Sequence, residues 1–235
     1  MRKSLVVVGA ALLFSMTAGA WNYPQYETFL GYSFVRFNPD SPFIPSYNSN
    51  GGAGQFVYNF NRWFGGEIDA GAVNKGVLNI CCDPFTGTTF NNGNVDTTTA
   101  WVTAGPRVTF RGKGNDSRWK PFVHVLFGGA YTTASTPDIT SLFQNPAGIV
   151  QSRLTASRWG FAMFAGGGLD VRVSRHFWFR PVGADYFLTR YKNNIFGNGF
   201  FTPNGVFVVT GNGDTTNRNN FRYTAGVNFT WGEPK

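Results

Sequence analysis

At 235 residues the chain suits one domain or two small ones. Only 14% of it is charged while aromatics reach 17%, and a mean hydropathy of −0.17 argues against a bundle of membrane helices. Apolar and polar residues mixed evenly along a chain are what alternating strands would give; the formal net charge is +8, two units of it from Arg2 and Lys3.

Those two cations precede an apolar run from Leu5 to Phe14, and Ala18-Gly19-Ala20 follows with small residues at a cleavage spacing. The run is too short to span a bilayer as a helix. Residues 1–20 are therefore expected to be a secretory signal peptide, with the mature domain covering 21–235. No cysteine directly follows the run and no second long apolar segment occurs, so an exported chain without a lipid anchor is expected.

Eight segments then alternate with period two, as strands do because successive side chains leave on opposite faces. They cover about 27–38, 51–61, 64–75, 98–111, 119–133, 158–173, 177–191 and 218–231. The first, with "FLGYSFVRF", is apolar on both faces and leaves its orientation open. The third sets Ile68, Ala70 and Ala72 against Glu67 and Asp69. The fourth sets Val102, Ala104, Pro106, Val108 and Phe110 against Thr103, Gly105, Arg107 and Thr109. In the fifth, Val123, Val125, Phe127 and Tyr131 oppose Phe122, His124 and Leu126.

The sixth sets Phe161, Met163, Ala165, Leu169 and Val171 against Phe164, Asp170 and Arg172. Its Gly166–Gly168 run lies within the strand, where close packing or bending explains it better than phosphate binding. The seventh holds Arg180 and Asp185 at opposite parity, which a bulge near Pro181 would reconcile. The eighth, "FRYTAGVNFTW", sets Phe221, Tyr223, Ala225, Val227, Phe229 and Trp231 against Arg222, Thr224, Gly226, Asn228 and Thr230.

Each segment is long enough to cross a bilayer at a tilt. If the apolar faces meet lipid, the other faces point inward and gather Glu67, Asp69, Arg107, His124, Asp170, Arg172 and Arg222 into a lumen polar network. An Arg or Lys on the lipid face near the midplane would cost about 2–4 kcal/mol. Paired and hydrogen-bonded charges inside are the cheaper arrangement.

The connections after strands two, four and six are short, and those after one, three, five and seven are long, at about 39–50, 76–97, 134–157 and 192–217. Outer-membrane barrels show this asymmetry, with tight periplasmic turns and longer outside loops. Trp63, Trp119, Trp178 and Trp231 fall at strand ends on the side of the short turns, and Trp101 and Trp159 at strand starts on the other side. Indole prefers the headgroup level, so two interface girdles are expected. Arg36, Arg158, Arg190, Lys192 and Arg218 gather near the outer rim of neighbouring strands, where they either contact lipopolysaccharide phosphates or snorkel to water.

In this pattern the chain resembles the OmpA-like family of small eight-stranded outer-membrane β-barrels over residues 21–235. Thr224-x-Gly226-x-x-Phe229-x-Trp231 looks like the family's C-terminal assembly signal, read by the barrel-insertion machinery, although Gly232–Lys235 follow the terminal aromatic. The resemblance implies an all-β, eight-stranded antiparallel up-and-down transmembrane β-barrel in the outer membrane of a Gram-negative-type bacterium. It also implies that the peptidoglycan-binding domain of larger members is absent.

A barrel of eight strands is just wide enough for its own side chains. The expected function is structural or surface-interactive, through the outer loops; the alternatives are a narrow, porin-like channel for small solutes and, behind it, a lipid-modifying enzyme. No catalytic set converges at a rim: His176 lies in a short turn, and His124 is the one handle for acid–base work. Cys81 and Cys82 read as two loop thiols or a strained vicinal bridge, and two cysteines alone do not complete a metal site. No cofactor, metal or nucleic acid is expected. The expected partners of a monomer are membrane lipid, lipopolysaccharide, the assembly machinery and an unidentified surface ligand.

Overall fold

The computed structural model describes residues 23–39, 46–79, 94–112, 117–136, 154–192, 199–201, 207–209 and 215–232. The expected signal peptide and Cys81–Cys82 lie outside the described residues. The elements are β1 (Tyr26–Phe37), β2 (Tyr47–Asn59), β3 (Phe64–Asn79), β4 (Asn94–Thr109), β5 (Trp119–Thr136), β6 (Leu154–Arg172), β7 (Phe177–Lys192), β8 (Gly199–Phe201), β9 (Phe207–Val209) and β10 (Thr215–Trp231). Eight of them close in the order β1-β10-β7-β6-β5-β4-β3-β2, while β8 and β9 pair apart as a small hairpin. The neighbours in the barrel are antiparallel, and β1 joins β10 from Tyr26↔Trp231 to Arg36↔Phe221. Closure leaves no sheet edge, so each strand finds ladder partners on both sides.

The polarity is inverted relative to a soluble barrel. Leu30, Ile68, Val102 and Val227 are more than half exposed on the outer face, whereas Glu67, Asp69, Arg107 and Arg222 are at most 1% exposed inside. β1, whose sequence is apolar on both sides, turns Glu27, Phe29, Ser33, Val35 and Phe37 inward and Leu30 and Tyr32 outward. An apolar exterior around a charged interior is the arrangement of a membrane-spanning barrel.

Several strands run further than their sequence pattern suggested, all at the end away from the short turns. β3 reaches Asn79, β4 begins at Asn94, β5 reaches Thr136 and β10 begins at Thr215. Those flanks are rich in Thr and Asn and read as loop by composition. Thr is nevertheless β-branched and fits a pleated ladder, and Asp96–Thr99 pair in register with Thr132–Ser135.

β7 contains the bulge. Against β10 the register passes from Thr224↔Gly183 to Gly226↔Arg180, and against β6 from Leu169↔Val182 to Val171↔Phe179, so β7 carries one extra residue at Pro181–Val182 in the first ladder. The slip turns both Arg180 and Asp185 inward, at 0% and 2% exposure. The neighbouring Gly166–Gly168 run allows close approach. A Cβ on Gly166 would lie 2.3 Å from Asp185 Oδ1, and one on Gly167 would lie 2.2 Å from the Phe122 carbonyl oxygen.

Candidate functional site

The described side chains inside the barrel form two layers. Nearer the short turns lies a closed circuit of nine side chains. Glu67 accepts from Arg107 at 3.3 Å, and Arg107 also reaches Asp170 at 3.4 Å. Asp170 accepts from Arg180 Nε at 2.7 Å, and Arg180 Nη1 donates to Gln55 Oε1 at 2.6 Å. Gln55 Nε2 donates to Asp69 at 2.7 Å, and Asp69 accepts from Arg222 at 2.9 Å. Arg222 pairs with Asp185 at 2.7 Å, and His124 closes the circuit between Asp185 at 2.8 Å and Glu67 at 3.0 Å. Both imidazole nitrogens of His124 face carboxylates, a geometry that suits a ring donating from each.

Below this circuit, Glu27 is shared by Lys120 at 2.7 Å, Arg111, Asn59 at 3.0 Å and Asn228 at 3.0 Å. Aromatic faces complete the environment of the cations. Arg107 lies 3.7 Å from the centre of Phe122, Arg180 4.1 Å from Phe29, and Arg222 3.8 Å from Phe164. Desolvated cation–π contacts are worth about 2 kcal/mol. Room for the Phe29 ring comes from glycine: a Cβ on Gly226 would lie 3.0 Å from it and 2.4 Å from the Leu30 carbonyl.

Toward the other end the interior becomes apolar. Phe164 stacks on Phe187 with centroids 4.3 Å apart, and Trp101 meets both at 5.7 and 5.8 Å. Val35, Phe37, Leu126, Ala130 and Tyr191 extend this buried cluster. Tyr191 Oη bonds Thr132 at 2.7 Å, and Thr132 bonds Thr99 at 3.0 Å.

Of the lumen residues expected from alternation, Glu67, Asp69, Arg107, His124, Asp170 and Arg222 lie in the circuit. Arg172 does not: it ends β6 half-buried, in register with Trp178. Sequence reasoning missed Glu27, Gln55, Lys120 and Asn228, and it left Arg180 and Asp185 unassigned. The parity that Lys120 shares with His124 was a usable signal for it.

The girdle assignment needs two corrections. Trp63, Trp119 and Trp159 are exposed on the outside at 42%, 57% and 72%, and Trp231 stacks on Tyr26 at the outer seam. Trp101 is instead 2% exposed within the lumen, its Nε1 donating to Asp69 at 2.5 Å. It sits mid-strand at inward parity, and the one indole donor is satisfied there by a carboxylate. Trp178 also has inward parity, and Lys120 Nζ lies 4.5 Å from its ring centre.

The outer-rim cations divide as well. Arg36, Arg190 and Lys192 are exposed at outward positions. Arg218 is 4% exposed and lies 5.3 Å from the Tyr191 ring, so it belongs to the interior rather than to a headgroup patch. Arg158 is exposed, but pairs with Thr132 at inward parity. In the assembly motif Thr224 and Gly226 take inward positions, while Phe229 and Trp231 take outward ones. Among the described residues no His, Cys, Asp and Glu group has the makings of a metal site.

No protein-family model matches the chain, and no curated relative matches it. Among solved structures it is similar to Ail, the attachment invasion locus protein of Yersinia pestis, with 14% identity across 88% of this chain and 98% of that one and a TM-score of 0.51. OprG of Pseudomonas aeruginosa matches at 14% identity, covering 89% and 98%, with a TM-score of 0.49. Neisserial surface protein A matches at 12% identity, covering 88% and 97%, with a TM-score of 0.45. At these identities the likeness is one of fold.

Proposed function

We propose that this chain, which has the fold of the small eight-stranded outer-membrane β-barrels, is a non-conducting scaffold that presents its long connections at the cell surface. The observation that carries the reading is the filled lumen. A solute entering from either end meets the charged circuit or the aromatic layer, whose side chains are at most 5% exposed. His124, the candidate for acid–base work, is 4% exposed and engaged on both nitrogens, which gives a lipid-modifying reaction no accessible group there. The fold neighbour whose name denotes attachment agrees with a surface role.

In this reading residues 1–20 direct export to the outer membrane of a Gram-negative-type bacterium. Thr224, Gly226, Phe229 and Trp231 serve insertion, and the barrel acts as a monomer. Arg36, Arg190 and Lys192 contact lipopolysaccharide phosphates. Arg190 pairs with Phe161, an outward aromatic two residues from the exposed Trp159, which supports a headgroup-level position for the cation.

Two measurements on one protein test the role. Purified barrel in a planar bilayer is expected to give no stable conductance. Cells displaying it are expected to lose adherence when residues 137–153 and 193–214 are shortened, with the heat-modifiable fold retained. Stable single-channel steps would favour the solute channel, and undiminished adherence would remove the surface role.

A further inference from the structure

An outward-facing apolar groove crosses the seam where β1, β10 and β7 meet. Thr28, Leu30, Phe177, Val227, Phe229 and Trp231 line it, around a volume of about 620 Å³. Its walls are fixed by the ladder: Thr28 pairs with Phe229 and Leu30 with Val227, while Phe229 pairs with Phe177 across the other side. Phe177 and Phe229 rings stand 5.0 Å apart, and Phe229 and Trp231 5.4 Å. A shallow, open apolar depression on the lipid side of a membrane barrel offers an acyl chain a surface to lie along.

What lies at the end of the groove decides which lipid. The turn at residues 173–176 runs directly into Phe177 and carries Arg175 and His176, both exposed. His176 pins this turn to β10, its Nδ1 lying 3.1 Å from the Thr230 carbonyl oxygen and its ring 6.2 Å from Phe229. The other two short turns add Arg62 and Arg118, while Arg111 turns inward to Glu27. Arg62 and Arg118 each precede an exposed tryptophan, Trp63 and Trp119. Cations beside girdle aromatics sit at headgroup level, where they attract a negative headgroup.

We propose that this groove and the Arg175-bearing turn form a binding site for one glycerophospholipid with a net-anionic headgroup, such as phosphatidylglycerol, in the periplasmic leaflet. The chain lies along Leu30, Val227 and Phe229, and the phosphate meets Arg175. The proposal rests on the membrane orientation argued above. It differs from the lipopolysaccharide contact in leaflet, in residues and in having a groove.

The test is native mass spectrometry of the folded barrel released from detergent with equimolar phosphatidylglycerol and phosphatidylethanolamine. An unboiled-gel shift confirms that each variant is folded, so loss of the barrel is seen separately from loss of lipid selectivity. Wild-type protein should retain phosphatidylglycerol with about five-fold preference, and Arg175→Gln should bring the ratio near one. Thr28→Trp, which fills the groove, should lower retention of both lipids. Lys75→Gln, on β3 near the opposite end, should leave the preference in place. Equal retention of the two lipids by wild type overturns the proposal, as does a preference unmoved by Arg175→Gln. An equal loss in Lys75→Gln would mean diffuse charge attraction and overturns it too.

Discussion

In the half of the lumen nearer the short turns, Arg107, Arg180 and Arg222 reach carboxylates at 2.7–3.4 Å, each partner shared with at least one other group. In the other half, Phe164, Phe187 and Trp101 meet one another at centroid distances of 4.3–5.8 Å, and Leu126 and Ala130 extend the cluster around them. Both halves are buried and built from side chains in close contact, yet they depend on different things. Charges in a low-dielectric interior are stable only with their partners, so the first half is specified by direction and stoichiometry. Packed rings and methyls need volume and shape, so the second half is specified by fit and tolerates exchange.

The comparison can be broken most forcefully at Arg222, which belongs to both halves. Arg222→Ala leaves Asp69 and Asp185 without their shared cation and uncovers the face of Phe164. A loss of about 3–5 kcal/mol is expected in urea unfolding from micelles, and an unchanged midpoint would show that the circuit is not desolvated. A gentler contrast sets Glu67→Gln beside Leu126→Met, two substitutions that keep shape. The first removes a charge between Arg107 and His124 and should cost about 1.5–3 kcal/mol, in line with hydrogen bonds to charged groups. The second should cost less than about 1.5 kcal/mol. Equal costs would erase the distinction between the halves.

Tyr191→Phe sharpens it from the apolar side. The ring stays and the bond to Thr132 goes, so about 0.5–1.5 kcal/mol should be lost in the same unfolding measurement. The smallest effect belongs outside the lumen. Arg190→Gln with Lys192→Gln should change stability by no more than about 0.5 kcal/mol. Association with lipopolysaccharide in mixed micelles should nevertheless fall, and the difference should fade as salt is added. Unchanged association at low salt would leave these side chains with only a snorkelling role.

Alternation made much of the fold legible, because period two reports the face of each residue wherever the strand is regular. It placed Glu67, Asp69, Arg107, His124, Asp170 and Arg222 on one side of the sheet. Trp101 shares odd parity with Asp69's partner Thr103 and with Arg107, so its inward position was legible too; residue type was allowed to outweigh parity. Glu27 was hidden at the first residue of a segment apolar on both faces, and Gln55 and Asn228 because neutral amides draw no attention until a charge faces them. The pairings themselves were not readable. Gln55 lies 125 positions from Arg180, and Asp69 lies 153 from Arg222, and only barrel curvature brings them together.

That curvature gives the circuit a consequence for assembly. Its members come from β2, β3, β4, β5, β6, β7 and β10, and Glu27 below it adds β1, so the charged interior as a whole draws on all eight barrel strands. Arg222 on β10 and Gln55 on β2 flank β1, and both meet Asp69 on β3, Gln55 as its cross-strand neighbour and Arg222 from beyond β1 and β2. A sheet short of closure would face the membrane with carboxylates and guanidinium groups whose counterparts sit on strands not yet docked. The electrostatic satisfaction of each strand thus depends on the arrival of the others. The interior works as an error check: it rewards the finished cylinder and penalises stages that leave its charges unmatched.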